Sequence, residues 1–371
     1  MAVGLPLKTT YADGDVWSAS DANDITGTIN TTAAPYAAGK NKIINGDFSI
    51  NQRNFTSTTT FGTYGFDRFK LISQGAGGTA TYSAQTFTTG AAPVAGYEGA
   101  NFARIVTASF TTTDSITQLN QEIENVRTFA GQTVTVSFWA KAASGTPKIL
   151  PYVAQNFGTG GSPSTEVLTG AAAVQTITTS WARYSFNISV PSISGKTIGT
   201  TANTSYLGLR ILVSCGSSFS APFNTVTVQN NTFDVWGIQI EQGSTATAFQ
   251  TATGNPQGEL AACQRYYWRN TSPGLANTRH SLFAPAASTT QIYFQIQNPV
   301  PMRVTPTAID YSALVAYDNV GIGNTITPTI DANANSFYTT VTATSTGLTQ
   351  YRSYCILGNS GTSSLGLSAE L

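Results

Sequence analysis

Glu122 and Glu124, in Gln121-Glu122-Ile123-Glu124, have the spacing of an acid–base couple. On a strand they share one face roughly 7 Å apart, at about 3.3 Å rise per residue. That separation falls within the rough 5 to 9.5 Å range of glycosidase carboxylate pairs. The same spacing also describes an ordinary solvated strand face, and that is the expectation for this pair, since surface carboxylates need no special explanation. Other chemistry is thinly provided. The chain has one histidine, His280, in Asn277-Thr278-Arg279-His280-Ser281, and it reads as a surface or packing residue rather than a general base. Cys215, Cys263 and Cys355 are an odd number at wide spacings, which is neither a disulfide framework nor a zinc site. Gly195-Lys196-Thr197 ends like a phosphate loop, but the position five residues before the glycine is Val190, so the cradle is missing. Neither a Gly-x-Ser-x-Gly elbow nor a His-Glu-x-x-His pair occurs. The chemistry predicts a protein that is not an enzyme.

Two tryptophans have a different potential. In Thr133 to Lys141, one face carries Val134, Val136, Phe138 and Ala140, and Trp139 projects from the other with Thr135 and Ser137. Trp181 belongs to the same outward set as Arg183. An exposed indole on a sheet stacks on sugar rings. The alternative is that a loop, a second domain or another subunit covers both rings.

The elements that position these residues are β-strands. The same period of two aligns Tyr184, Phe186, Ile188 and Val190, and likewise Leu207, Leu209, Ile211 and Val213. Only 10% of the 371 residues are charged, 18 basic against 18 acidic, so Thr, Ser, Asn, Gln and Gly must cover the surface. That composition suits strands and turns. Lys and Arg are too thinly spread for a phosphate backbone, which excludes nucleic acid as a partner. No run reaches the eighteen or so apolar residues of a membrane span, and the N-terminus lacks the order of a secretory signal. Synthesis in the cytoplasm without membrane insertion is expected.

The chain divides into three parts. Residues 1–40 are turn-rich and hold too few apolar residues for a core, yet they keep Leu5, Leu7, Val16, Trp17 and Ile25 to bury against a partner. Residues 41–252 give alternating segments separated by Gly, Pro, Ser and Asn clusters, the pattern of an antiparallel sandwich. Residues 253–371 open with a turn over 253–258. Helical spacing of Leu260, Cys263 and Tyr267 follows, and then the strand pattern resumes. The fold class is all-β, a jelly-roll sandwich followed by a short helical connector and a smaller β domain.

Several stretches resemble proteins of phage tails and capsid fibres. Lys42-Ile43-Ile44-Asn45-Gly46-Asp47-Phe48-Ser49-Ile50-Asn51-Gln52-Arg53 with Tyr64-Gly65-Phe66-Asp67-Arg68-Phe69 is similar to the opening of their carbohydrate-binding-module-like jelly roll. Val134 to Lys141 and Phe233 to Gly243 resemble its middle and closing strands, in the right order. Glu259 to Trp268 with Phe294 to Thr307 resembles the helix-then-β unit that follows the jelly roll in tail fibres. The resemblance implies a homotrimeric virion fibre, attached to other virion proteins through residues 1–40, that adsorbs to a host surface glycan. A purely structural head-fibre, cement or adaptor protein is the alternative, because a jelly roll also serves as a spacer. Related modules often hold a structural Ca²⁺ beside their first and last strands, which makes Asp47 and Asp234 candidate ligands; turn-forming and backbone-bonding roles are the alternative for both.

Overall fold

The computed structural model describes residues 39–371 except 76, 96, 112, 220–225, 273, 275–277 and 319–322. The attachment residues Leu5, Leu7, Val16, Trp17 and Ile25 lie outside the described residues. Twelve described strands build the first domain. They are β1 (Ser57–Thr58), β2 (Lys70–Gln74), β3 (Thr79–Thr86), β4 (Asn101–Ala108), β5 (Ile116–Glu124), β6 (Thr133–Ala142), β7 (Lys148–Asn156), β8 (Val167–Gly170), β9 (Gln175–Thr176), β10 (Ala182–Ser189), β11 (Tyr206–Cys215) and β12 (Thr232–Gln242). One sheet runs β1-β3-β4-β12-β6-β10 and the facing sheet β2-β5-β11-β7-β8, with β9 also on β7. All pairings are antiparallel, and the strand order is that of a jelly-roll sandwich.

The alternation explains the packing. Val134, Val136, Phe138 and Ala140 of β6, Tyr184, Phe186 and Ile188 of β10, and Leu207, Leu209 and Ile211 of β11 are all buried between the sheets. Trp139 and Arg183 stand opposite each other on the outside of the first sheet. Near its middle, β12 shifts register between Trp236 and Gln239. Gly237 there has φ +66°, and a Cβ on it would meet the Trp139 ring at 2.8 Å. This bulge puts Trp236 on the outer face and returns Ile238 and Ile240 to the core.

The connector departs from the expected limits. Helix α1 spans Pro256–Gln264, starting inside the segment expected as a turn. Asn255 caps it by accepting from the Gly258 N–H at 2.7 Å, and Pro256 takes the first helical position, where its missing N–H costs nothing. The helix stops before Tyr267, which enters a strand instead. Leu260 faces solvent while Cys263 and Glu259 are buried, so the buried face is not the expected apolar stripe.

Ten described strands follow: β13 (Tyr267–Thr271), β14 (Thr278–Pro285), β15 (Gln291–Gln297), β16 (Ala308–Ser312), β17 (Leu314–Tyr317), β18 (Asn324–Thr325), β19 (Thr327–Ile330), β20 (Tyr338–Thr344), β21 (Ser353–Gly358) and β22 (Ser364–Ser368). They form three small antiparallel sheets, β13-β22-β16, β14-β21-β17-β18 and β15-β20-β19. Their own core includes Ile292, Phe294, Ile296, Val341, Ile356 and Leu367. No helix among the described residues is long and apolar enough to cross a membrane.

Candidate functional site

The outer face of the first sheet gathers four of the candidate residues, Trp139, Trp181, Asp47 and Asp234. Strand pairing sets Trp139 of β6 opposite Trp236 of β12, with their rings 5.4 Å apart. Phe249, from the segment after β12, lies 5.1 Å from Trp236 and 6.1 Å from Trp139. The Arg183 guanidinium lies 4.7 Å from the Trp139 ring centre. Trp139 is therefore half-buried rather than an open platform. Trp181, also half-buried, packs 5.4 Å from Phe102 and 5.7 Å from Phe87, with the Lys141 ammonium 5.3 Å from its ring. Trp236 itself is wholly buried, and its indole N–H donates to the Asp47 carbonyl at 3.1 Å.

At the end of this aromatic band the sheet face opens into a cleft of about 580 Å³. Two half-buried rings, Tyr97 and Phe249, line it 5.5 Å apart and edge to face. Around them stand Asp47, Ser49, Glu98, Gln250 and Asn255, with Pro256 and Glu259 of α1 closing one side. Segments distant in sequence meet here because Gly46 lets the first segment touch β12. The Ile238 N–H donates to the Gly46 carbonyl at 2.9 Å, and a Cβ on Gly46 would lie 2.1 Å from the Ile238 carbonyl oxygen.

The carboxylates of the cleft differ in freedom. Asp47 accepts from the Tyr97 hydroxyl at 2.7 Å and from the Ser49 hydroxyl at 3.0 Å. Burial and the Asp47 carboxylate hold the Tyr97 phenol well above its ordinary range. Glu259 accepts from the Asn45 N–H at 2.5 Å and the Thr253 hydroxyl at 2.9 Å. Burial pushes its carboxyl above the usual range despite those bonds. Glu98 is exposed and has no hydrogen bond or ion pair among the described residues. Glycosidic hydrolysis in its usual form employs two carboxylates in separate acid and base roles, and here two of the three are tied into the fold.

Asp234 does not join Asp47. Its two oxygens accept from Arg104 at 2.7 and 2.9 Å, and the Lys141 ammonium stands 3.6 Å away. Calcium takes about six to eight oxygens, and a carboxylate already clasped by two cations does not supply them. Among the described residues no group of three or more His, Cys, Asp or Glu side chains is placed to hold a metal ion. The two aspartates do not form the expected calcium site. Asp47 tethers a turn and a tyrosine, and Asp234 neutralises a row of cations across three strands.

Glu122 lies on the outer face of the other sheet, apart from this cluster. The solvated pair expected from sequence is corrected by the packing of the second domain. Glu122 is 3% exposed and pairs with Lys70 at 2.9 Å, while Glu124 is clasped by Arg265 at 2.8 and 2.9 Å. Each carboxylate has its own cation, so the two do not work as a couple. Tyr97, Phe249 and Glu98 carried no signal in the sequence, because each sits in a loop without periodicity, and only long-range packing brings them together.

No family model matches the sequence, and no curated protein matches it. Among solved structures, the chain is similar to a family 11 carbohydrate-binding module from Clostridium thermocellum in complex with a β-1,3-1,4-mixed-linked tetrasaccharide. That match has 11% identity and a TM-score of 0.29, and covers 52% of this chain and 99% of the module. A xylan-binding domain of Paenibacillus barcinonensis matches at 11% identity and TM-score 0.30, over 56% of this chain and 98% of its own. A second xylan-binding domain from that organism matches at 16% identity and TM-score 0.29, over 49% and 94%. These structural neighbours are carbohydrate-binding modules, each matched by about half of this chain, and at such scores the likeness assigns neither ancestry nor ligand.

Proposed function

We propose that this protein is a non-enzymatic virion fibre that recognises a host surface glycan through the cleft beside Tyr97 and Phe249. The observation that carries the reading is the pair of half-buried rings lining a cleft at the end of a rigid sheet, with hydroxyl, amide and carboxylate groups around them. Aromatic faces hold the apolar side of a sugar, and the polar groups read its hydroxyls. Carbohydrate binding by the structural neighbours agrees with this reading without deciding it. The phage assignment rests on the order of the motifs shared with tail and capsid fibres. In this reading residues 1–40 attach the fibre to other virion proteins. Three chains assemble around one axis, so that weak sites gain avidity of about 10² to 10⁴.

Titration calorimetry against host-envelope oligosaccharides tests the proposal. Phe249→Ala and Tyr97→Ala are expected to lower affinity at least tenfold with the far-ultraviolet circular dichroism unchanged, and no oligosaccharide is expected to be cleaved. Unaltered binding in both variants would move the site elsewhere. Absence of binding to any envelope glycan, together with a label on the virion head, would favour the purely structural fibre.

A further inference from the structure

The cleft has a one-sided charge. Asp47, Glu98 and Glu259 line it, and no lysine, arginine or histidine does. This stands out in a chain whose acidic and basic residues balance at 18 each. Elsewhere on the same sheet face the carboxylate of Asp234 is matched by Arg104 and Lys141, and at the sheet's edge Lys40 pairs with Glu241 at 3.1 Å. The carboxylates of the cleft have hydrogen-bond donors from the protein but no cationic partner. They also do not gather as a metal-holding group. The missing positive charge is therefore better supplied by an extended organic cation than by a single ion. The rings agree, since Tyr97 and Phe249 present π faces or edges to whatever fills the cleft, and a cation over such a ring is attracted by its quadrupole. A carboxylated sugar would bring like charge into a partly desolvated site and be repelled.

We infer that the cleft selects an amino sugar carrying a free, protonated amine over its N-acetylated and its acidic counterparts. The inference rests on the glycan-binding reading above and names the ligand class of that same site. Glu98 is the side chain that meets the ammonium, because Asp47 and Glu259 already spend their oxygens on Tyr97, Ser49, Asn45 and Thr253.

The test is calorimetry of the full chain, buffered slightly below neutrality, with three probes: a fully deacetylated glucosamine tetramer, its fully N-acetylated form and a galacturonic acid tetramer. The deacetylated probe is expected to bind tightest and the acidic probe not at all. Glu98→Gln is expected to weaken the deacetylated probe roughly fivefold, the effect of one nearby charge at the surface, and to leave the N-acetylated probe unchanged. Phe249→Ala is expected to weaken every probe that binds. Equal binding of the amine and N-acetyl forms, both sensitive to Phe249→Ala, would overturn the amine selectivity and leave the glycan site standing. Amine binding indifferent to both substitutions would mark non-specific charge attraction and overturn it too. If no probe and no envelope glycan binds, the glycan reading itself falls.

Discussion

His280 is 5% exposed, and neither ring nitrogen has a hydrogen-bond partner. Burial lowers its pKa, so the fold holds the imidazole neutral. The unfolded chain titrates this residue near about 6.5. Below that pH the unfolded state binds a proton that the folded state refuses. The contribution of His280 to stability is therefore complete above about pH 6.5 and is lost as the pH falls toward the lower folded value. Asp67, pushed up to about 6 by burial, acts in the opposite sense over an overlapping window. The comparison that isolates the histidine is between wild type and His280→Phe. Melting temperatures at pH 7 and pH 5 are expected to differ less in the variant than in wild type, and an identical pH dependence would show that His280 does not titrate in this window. At this scale the sequence was a poor guide. A lone histidine and a Glu-x-Glu pair look the same whether solvent or another domain lies over them.

At the scale of elements, the alternating strands were legible, because a period of two is a local property of the chain and the buried face follows from it. Val134, Val136, Phe138 and Ala140 share the core side as their spacing requires. The start of α1 was legible in principle, since Asn-Pro is a cap followed by a first helical residue. The bulge at Gly237 was not, because a shift of register depends on what the neighbouring strand offers. Gly46 is the sharper case. It needs no unusual φ, but the Ile238 carbonyl leaves no room for a Cβ. Gly46→Ala is expected to cost about 2 to 4 kcal/mol in denaturant unfolding, the range of substitutions that force backbone apart. Gly145 has φ +64° with nothing within 4 Å of its would-be Cβ, so Gly145→Ala should cost only about 1 kcal/mol of backbone strain. Equal costs would show that the approach of Gly46 to β12 relaxes easily.

At the scale of the whole molecule, the two domains are joined by buried charge. Arg68, 1% exposed, lies over the Tyr266 ring at 3.3 Å and pairs with Glu370. Arg53 lies over Tyr267 at 3.5 Å and reaches Glu370 at 3.2 Å. Arg303 of the second domain donates to the Ala369 carbonyl at 2.9 Å and also to the Asn203 carbonyl of the first. Removing one partner of such a buried pair strands the other charge and typically costs about 3 to 5 kcal/mol. Glu370→Ala is expected to split one cooperative thermal transition into two and to lengthen the particle in small-angle scattering. A single transition and an unchanged scattering profile would show that apolar contacts alone hold the domains together.

The sequence by itself determined the all-β class, the alternation that builds the jelly-roll core and the position of a helical break before a second set of strands, because each is written in local periodicity and turn chemistry. Only the tertiary structure decided which outward-facing side chains meet solvent. Trp139 is covered by Phe249, over a hundred residues away along the chain, and Glu122 is covered because the second domain folds back beside it. The cleft belongs to the same category. Its walls come from residues 47–50, 97–98 and 249–259, and loops carry no period to announce that they will meet. The closures that make a site are paid for in long-range contacts, which no short window of sequence contains.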